Sequence, residues 1–545
     1  MSNLINPIII KRGLRIGDLE AETDKELLSA CFVDNGDLDL LVDVDKPESI
    51  IVGRTGSGKS ALLLQIQKHV DKSKMLDPND ISIRFLEHSD IIQFFESIGV
   101  KLDLFYRLLW RHILTVELLK LRYDLKSEND GRGILTKLAS MVERDPVKKE
   151  ALSYFREWGT KFWLDTDQQL REVTEKLGQE LKAGFDTELQ GVDISLVGAR
   201  NLSTEKKTEI VHKANKVVNS IQIKKLANIL DLLEESVFTD QQKKYYLLID
   251  KLDEEWANTE TRYRFIRALI EEIKTFRKIS NIKIIVALRR DLLDIVFDRT
   301  RDAGFQQEKY ESYMLPLLWS KDTLEQMIER RINEVFKRQY TKEGVRFDDI
   351  FPPPRKKGNQ VALDYVIERT LLRPRDVMQF INECFMSALN SPRVSWKALT
   401  RAEGVYSEKR IKSLYEEWSQ IYPCLKETIE IMRGIPFIFK RSTLAERLNN
   451  ISLIDNSDDP CAKAVVDFCN SGGKTNESEV VSEILNCLYR IGAVGVKVSA
   501  TEPYMWSDHE KAILSKSEIK RVNQIQVHKM LLRTLGISEL EDETN

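Results

Sequence analysis

A glycine-rich stretch near the N-terminus has the residue types and the spacing of a phosphate-binding loop. Residues 53–60 read Gly-Arg-Thr-Gly-Ser-Gly-Lys-Ser, between an apolar run at 49–52 and an apolar helical run that begins at Ala61. Glycines let the main chain curl so that successive N–H groups point at phosphate oxygens. The positive N-terminal end of the following helix adds to this attraction. Strand, glycine loop and helix in this order are typical of a P-loop.

The motif assigns separate roles to its last two side chains. We expect Lys59 to reach the β- and γ-phosphates during catalysis, and the Ser60 hydroxyl to bind Mg²⁺. The predicted ligands are therefore ATP and Mg²⁺. The predicted nucleotide-binding residues of the loop are Gly53, Thr55, Gly56, Ser57, Gly58, Lys59, Ser60 and Ala61.

An apolar run that ends in a carboxylate is the second requirement of such a site. Residues 245–249 are apolar and Asp250 follows them. A carboxylate at the carboxyl end of a strand can hold Mg²⁺ through water, opposite Ser60. We therefore interpret Asp250 as the acid of a Walker B element, with a catalytic and a metal-binding role.

A further apolar run at 282–288 predicts another strand, and two arginines follow it. If this strand lies between the other two in the sheet, its end faces the γ-phosphate, and Arg289 is placed to sense that phosphate. The alternative is an ordinary solvated helix start at Arg289 and Arg290. The sequence leaves both interpretations open.

Composition limits the classes of protein that fit. The chain has 545 residues, is 42% hydrophobic and 31% charged, and has a formal charge of −3, which argues against a protein that coats nucleic acid but permits a local basic patch. Its six cysteines form no C-x-x-C motif, so neither a zinc ribbon nor a disulfide framework is indicated. No apolar run approaches the length of a membrane span, and the first residues do not read as a signal peptide. We expect a cytoplasmic protein without a membrane partner.

The predicted fold class is an α/β P-loop NTPase core with a parallel sheet, a large helical insertion, a helical lid and a C-terminal winged-helix-like domain. The predicted domains are 1–87 (lead-in and first part of the core), 88–240 (helical insertion), 241–345 (second part of the core), 346–420 (lid) and 421–545 (winged helix).

Local signals predict several further elements. Cap residues predict a helix over 23–32 and a long helix that follows Ser320, and Pro374 fits the first turn of a lid helix. Other predicted helices are 151–158, 221–237, 395–420, 441–448 and 480–489, and other predicted strands are 81–87, 313–319, 493–498 and 504–506.

With these pieces in order, the chain resembles the bacterial P-loop ATPases of the STAND/KAP-like branch of AAA+ and related NTPases. The segments that carry the resemblance are 27–34, the P-loop, 248–256, 287–291, 318–320, 373–376, 488–495 and 527–528. The resemblance implies ATP binding by the loop, Mg²⁺ handling by Asp250, and an Arg373/Arg375 lid over the nucleotide. It also implies nucleotide-controlled assembly and a role in defence against phage.

One position departs from the pattern of this family. Relatives usually carry a second acid directly after the Walker B aspartate, and here that residue is Lys251. A carboxylate near the γ-phosphate holds the attacking water in line. Either Asp253 or Glu254 takes this catalytic role, or hydrolysis is slow.

The sequence is compatible with three functions. The first is a signalling ATPase that self-assembles and engages a protein partner; the second is a DNA-acting ATPase that uses the winged helix; the third is an ATP-bound scaffold with little turnover. The helix before the wing carries Glu477, Glu479 and Glu483, which disfavours contact with phosphates. Two basic surfaces, Lys516/Lys520/Arg521 and 355–357, remain candidate phosphate contacts or solvated charged surfaces.

Overall fold

A computed structural model describes most of the chain outside the predicted insertion. It covers residues 8–76, 102–124, 229–252, 260–301, 308–339, 344–356, 358–448, 459–470, 477–499, 501–507 and 514–539, with isolated positions 175, 205, 208 and 306. The predicted strand at 81–87 and the predicted helix at 151–158 lie outside these residues, as do Asp253 and Glu254.

The described strands and helices follow the chain in this order. The strands are β1 (Ile50–Gly53), β2 (Ser73–Leu76), β3 (Tyr245–Ile249), β4 (Ile282–Arg289), β5 (Met314–Pro316), β6 (Ile438–Lys440), β7 (Val494–Lys497) and β8 (Gln524–Val527). The first helices are α1 (Lys25–Cys31), α2 (Asp37–Val42), α3 (Lys59–His69), α4 (Asp103–Tyr123), α5 (Glu260–Phe276), α6 (Arg290–Arg299), α7 (Glu308–Glu311), α8 (Lys321–Gln339) and α9 (Phe347–Ile350). The remaining helices are α10 (Ala362–Ile367), α11 (Pro374–Ser387), α12 (Trp396–Trp418), α13 (Leu425–Glu430), α14 (Arg441–Arg447), α15 (Pro460–Asn470), α16 (Glu477–Arg490), α17 (Lys516–Ile519) and α18 (Leu532–Leu535).

The chain divides into two compact units. The sheet unit comprises Gly36–Arg54 and Leu62–Pro316, and the helical unit comprises Met1–Asn35, Thr55–Ala61 and Leu317–Asn545. Each unit has its own cluster of buried apolar side chains. The domain boundaries expected from the sequence remain a prediction.

The sheet unit has an α/β fold, as the sequence predicts. Its five strands are all parallel and lie in the order β2-β3-β4-β1-β5. Strand β3 is buried at every position and β4 at every position but its last, because both faces of a parallel sheet are covered. The predicted strand at 282–288 is confirmed as β4, and it lies between β1 and β3.

Helices α4 and α5 pack on each other within the sheet unit and cover β3 and β4. Trp110 stacks on Phe265 with 4.7 Å between ring centroids, and its indole N–H donates to the Phe265 carbonyl. The buried carboxylate of Glu272 is paired with Arg107 and Arg111 of α4. The described end of the helix predicted over 221–237 closes in a π-helical turn, Leu233–Val237.

The helical unit is organised around α11 and α12, which pack along each other. Their starts follow the predicted signals, since Pro374 is the first residue of α11 and the Ser395 hydroxyl accepts the Ala398 N–H at the start of α12. The Ser320 hydroxyl likewise accepts the Thr323 N–H before α8. Helix α1 packs on α8, where Asp24 forms a buried ion pair with Arg331 at 2.7 Å.

The C-terminal part of the helical unit contains a three-stranded antiparallel sheet in the order β6-β8-β7. The predicted helices at 441–448 and 480–489 are confirmed as α14 and α16, and the strand at 493–498 as β7. The predicted strand near 504–506 is reduced to one antiparallel bridge, in which Val496 and Met505 exchange main-chain hydrogen bonds.

Two findings bear on the expected class of protein. Within the described ranges, no helix combines the length and the apolar character needed to cross a bilayer. All six cysteines are free thiols, and Cys469 alone among them is exposed.

Candidate functional site

The glycine loop has a main-chain conformation that only glycine adopts without strain. Gly56 has φ = 79° and Gly58 has φ = 98°. A Cβ added to Gly56 would lie 2.8 Å from the Cβ of Arg375, closer than carbon atoms approach. Both the curl of the loop and the close approach of α11 therefore require glycine at position 56.

Three successive carbonyl groups of the loop accept hydrogen bonds from other residues of the helical unit, to which the loop belongs. The donors belong to the chain just before α8 and to the start of α11. The bonds are Arg373 Nη1 to the Thr55 carbonyl at 2.7 Å, the Arg375 N–H to the Gly56 carbonyl at 3.3 Å, and Trp319 Nε1 to the Ser57 carbonyl at 2.7 Å.

These bonds fix the direction of the loop's N–H groups. All described peptide bonds are trans, and in a trans peptide the N–H points opposite to the preceding carbonyl. The N–H groups of Gly56, Ser57 and Gly58 therefore point away from the three donors. Successive N–H groups turned to one side form an anion-binding concavity.

Two hydroxyl groups in the loop also bear on its role. Thr55 Oγ1 and Ser57 Oγ are buried and have no hydrogen-bond partner among the described residues. Buried polar atoms are nearly always paired in folded proteins. The unsatisfied hydroxyls therefore fit a loop built to receive a polar ligand.

Lys59 and Ser60 are the first two residues of α3, an 11-residue helix. Both side chains are half-buried. The first N–H groups of a helix have no partner within the helix and carry partial positive charge. The predicted phosphate-binding lysine and the predicted metal-binding serine therefore begin a helix, as the motif requires.

The sheet unit gathers three other predicted residues at one edge. Gly53 is the last residue of β1 and lies in register with Arg289, the last residue of β4. Asp250 directly follows β3, whose last residue is in register with Val286 of β4. Parallel strands end at the same edge of a sheet, so this edge carries the Walker B candidate and the sensor candidate.

The side chains at this edge have defined partners. Asp250 Oδ1 accepts the Lys251 N–H at 2.8 Å, and Lys251 has φ = 58°, in the left-handed region. Arg289 forms a two-point ion pair with Asp291, at 3.1 Å and 2.5 Å. Arg290 is the first residue of α6, so a helix does start at this point. The sensing role of Arg289 stays a prediction.

Arg373 belongs to a buried ring of four charges in the helical unit. It pairs with Asp376 at 3.1 Å and with Glu417 at 2.7 Å, and Arg410 pairs with the same two carboxylates at 2.8 Å and 3.0 Å. Burial lowers the pKa of Arg373, but the charges of Asp376 and Glu417 outweigh it, and the net shift is upward. Arg373 is thus held charged, and it holds the Thr55 carbonyl.

Arg375 meets the loop in a different way. Its main-chain N–H and the base of its side chain contact Gly56, whereas its guanidinium Nε donates to the Leu19 carbonyl at 3.1 Å. The two predicted lid arginines therefore both contact the glycine loop, and both hydrogen bonds are accepted by main-chain carbonyls of the loop.

Sequence reasoning assigned no role to three residues that support the loop. Arg410 and Glu417 complete the ring of charges that holds Arg373. Trp319 lies in the segment 318–320 that carries the family resemblance, but its bond to the Ser57 carbonyl spans 262 residues, and no local motif predicts such a contact. No group of three His, Cys, Asp or Glu side chains suited to a metal occurs in the described part of the chain.

Comparison with known proteins gives limited matches. Residues 322–415 match the family described as the FunZ-associated C-terminal helical domain, a range that includes Arg373 and Arg375. The chain is 24% identical over 508 residues to the transposon gamma-delta 80.3 kDa protein of Escherichia coli (strain K12), over 91% of this chain and 63% of that protein. The chain thus spans under two thirds of that relative. It is also 26% identical over 153 residues to Allergen Alt a 2 of Alternaria alternata, over 28% of this chain and 80% of that protein.

Proposed function

We propose that the chain is an ATP-binding signalling ATPase of the P-loop class, with slow Mg²⁺-dependent hydrolysis. The observation that carries this proposal is the glycine loop itself. Its carbonyls are held by Trp319, Arg373 and Arg375, so its N–H groups are turned to the other side, and α3 begins with Lys59. Such an arrangement is suited to a phosphate chain.

The described residues fit ATP and Mg²⁺ in the following way. The N–H groups of the loop and Lys59 would hold the phosphates, and the Ser60 hydroxyl and the Asp250 carboxylate are each of a type that binds Mg²⁺. Bound Mg²⁺ neutralises charge that develops on the phosphates during transfer. The order of β1, β4 and β3 in the sheet supports this fit, because it brings the ends of the predicted Walker B and sensor strands to one edge.

A second part of the proposal concerns the molecules with which the chain associates. We infer self-assembly and a protein partner, with a role in antiphage defence implied by the resemblance to STAND/KAP-like ATPases. The order β6-β8-β7 with α14 and α16 is consistent with a winged helix. Helix α16 is largely buried, and its acids Glu479 and Glu483 pair with Lys520 and Lys516. A helix so occupied is poorly suited to a DNA groove.

A DNA-acting ATPase is the second candidate. The relative from Escherichia coli is named for a transposon, and that name is the observation that favours it. Stimulation of phosphate release by DNA would raise this candidate above the first.

Lys59→Ala tests nucleotide binding. We expect it to abolish tight ATP binding without unfolding the chain, since Lys59 is a half-buried charge and not part of a core cluster. Lys68→Ala is the matched control, because Lys68 is an exposed lysine near the other end of the same helix. Titration of a fluorescent ATP analogue measures both. Equal affinity in parent and Lys59→Ala would refute the P-loop assignment.

A phosphate-release series separates a slow ATPase from a scaffold. Asp250→Asn should keep ATP binding and reduce Mg²⁺-dependent turnover, because an amide lacks the charge that the metal needs. Asp253→Asn or Glu254→Gln should trap bound ATP if that acid orients the attacking water, and Lys251→Asp should raise turnover. If the parent releases no more phosphate than buffer alone and no variant changes this, the chain is an ATP-bound scaffold.

A further inference from the structure

An open groove of about 850 Å³ in the helical unit shares no lining residue with the glycine loop. One wall is the segment before α10, with Pro353 and Pro354 at its rim, and another is the first part of α12. Five of its lining side chains are cationic and none is acidic: Arg355, Lys356, Lys397, Arg401 and Arg533.

Most of this positive charge has no counter-charge among the residues that the structure describes. Arg533 pairs with Glu403 at 2.9 Å. Within the described ranges, Lys356, Lys397 and Arg401 form no ion pair, and all three are exposed. Lys397 and Arg401 are four residues apart on α12, so they lie side by side on one face of the helix.

A flat platform lies in the same groove. The guanidinium of Arg355 lies over the Trp396 ring, with 4.3 Å to the centroid, and 5.3 Å from the centroid of Tyr365. Trp396 donates its indole N–H to the Pro353 carbonyl at 2.9 Å, and the Arg355 N–H donates to the Gln360 carbonyl at 3.0 Å. These bonds hold the Trp396 ring and the main chain of Arg355 in place.

We propose that this groove binds single-stranded nucleic acid. Exposed cations on α12 meet successive phosphates, and a base stacks on the platform that Arg355 and Trp396 form. Grooves that bind single strands combine these two features, a basic track for the backbone and a planar surface for bases. The proposal does not depend on the glycine loop binding ATP.

An acidic peptide could pair with the cations of the groove, but it would not use the flat surface of Arg355 and Trp396. Carboxylates pair with the edge N–H groups of arginine and have no ring to lie on the stack of Arg355 and Trp396. Bases in a duplex are already stacked on one another, so a duplex would also leave the platform unused. The stack therefore favours unpaired bases over both alternatives.

Binding of a labelled oligothymidine by the full chain, measured by fluorescence anisotropy without nucleotide, tests the proposal. Lys397→Glu/Arg401→Glu should weaken binding about tenfold or more, and the slope of log affinity against log salt should fall by about 1.4 for two lost contacts. Lys25→Glu/Lys412→Glu is the matched control, since it makes the same charge change at exposed positions outside the groove. Equal losses in the two double variants, or no binding by the parent, would overturn the proposal.

Arg355→Lys separates a base from other anions, because it keeps the charge and removes the planar group. We expect at least a threefold loss of affinity for oligothymidine and no loss for an oligomer of abasic sugar phosphates. Oligoglutamate and a duplex of equal length should bind more weakly than oligothymidine. Tighter binding of oligoglutamate or of the duplex, or an Arg355→Lys variant that binds like the parent, would show that the groove is not built for single strands.

Discussion

At the scale of single residues, the conformation of the glycine loop depends on the absence of a side chain at Gly56. Gly56 needs a positive φ, and α11 comes so close that even a methyl group would overlap Arg375. Gly56 is thus under two constraints, its positive φ and the close contact with Arg375. The effect of each constraint can be measured separately.

A pair of alanine substitutions separates them. Gly358 has φ = 81°, close to that of Gly56, but no atom lies within 4 Å of its added Cβ. We expect Gly358→Ala to lose about 1–2 kcal/mol of stability from the left-handed conformation alone. Gly56→Ala should lose at least this and also lower ATP affinity by about tenfold or more, because the overlap displaces the loop.

Thermal denaturation and ATP titration of both variants check this prediction. If Gly56→Ala binds ATP as the parent does, the contact with Arg375 does not position the loop. If Gly358→Ala weakens ATP binding as much, the effect is a general loss of stability.

At the scale of elements, α11 and α12 are joined by charge as well as by apolar packing. Arg373 and Asp376 of the α11 start and Arg410 and Glu417 of α12 alternate in sign, so the buried ring is neutral. A buried ion pair gives little net stability, but removal of one partner is costly. The ring therefore stabilises one arrangement of the two helices, the one in which Arg373 holds Thr55.

Arg373→Met should cost about 3–5 kcal/mol, because it leaves two buried carboxylates with one arginine. It should also weaken ATP binding, since the Thr55 carbonyl loses its donor. Arg375→Met is the matched control: among the described residues, the guanidinium of Arg375 donates only to the Leu19 carbonyl, and we expect a change within about 0.5 kcal/mol. Denaturation midpoints that fall equally in both variants would contradict the role of the ring.

A lysine within the parallel sheet gives the sheet unit a pH dependence. Lys283 of β4 donates to the Leu40 carbonyl at 2.8 Å and to the Asp43 carbonyl, and burial lowers its pKa to about 8. An unfolded lysine has a pKa near 10.4. Between these values the unfolded chain binds more protons than the folded one, so the stability contributed by this site rises with pH.

We therefore expect the parent to gain about 2 kcal/mol relative to Lys283→Met between about pH 7.5 and about pH 9.5. Urea denaturation of both proteins at the two pH values provides the measurement. Other groups that titrate in this range are common to both chains and cancel in the difference. A difference that does not change with pH would show that Lys283 keeps its ordinary pKa in the folded state.

The parts of the fold that the sequence predicted are those with local signals. The strand before the loop, the capping Ser320 and Ser395, and Pro374 at the start of α11 each depend on neighbours in the chain. Strand β2 was missed because its four residues begin with the polar Ser73 and Lys74 and show no apolar run.

The supports of the candidate site could not be predicted for a different reason. Arg373 and Thr55 are 318 residues apart, and their bond exists only because two distant segments fold into one unit. A resemblance to a family placed Arg373 near the nucleotide, but not on a carbonyl of the loop. The hydrogen bond between Arg373 and Thr55 is easily explained in the folded structure. It could not be predicted from the sequence, because no local pattern relates the two residues.

At the scale of the whole molecule, the proposed signalling role requires that nucleotide changes how the chain associates. We expect light scattering of the purified chain to report a larger mass with ATP and Mg²⁺ than without them. Lys59→Ala should stay at the smaller mass in both conditions, and Lys68→Ala should behave as the parent. A mass that is the same in all four samples of parent and control would contradict nucleotide-controlled assembly.

The position of β1 within the sheet has a consequence for how the chain is made. Ile50 pairs with Val286 on one side and with Met314 on the other, so both partners are synthesised more than 200 residues later. At about 5–20 residues per second, β1 waits on the order of ten to fifty seconds after synthesis before either neighbour exists. During that time an apolar strand has both of its edges open, and unpaired edges invite association with other chains. N-terminal fragments that end before β4 should therefore need a chaperone to stay in solution, and any recoding that slows translation between β1 and β4 lengthens the exposure.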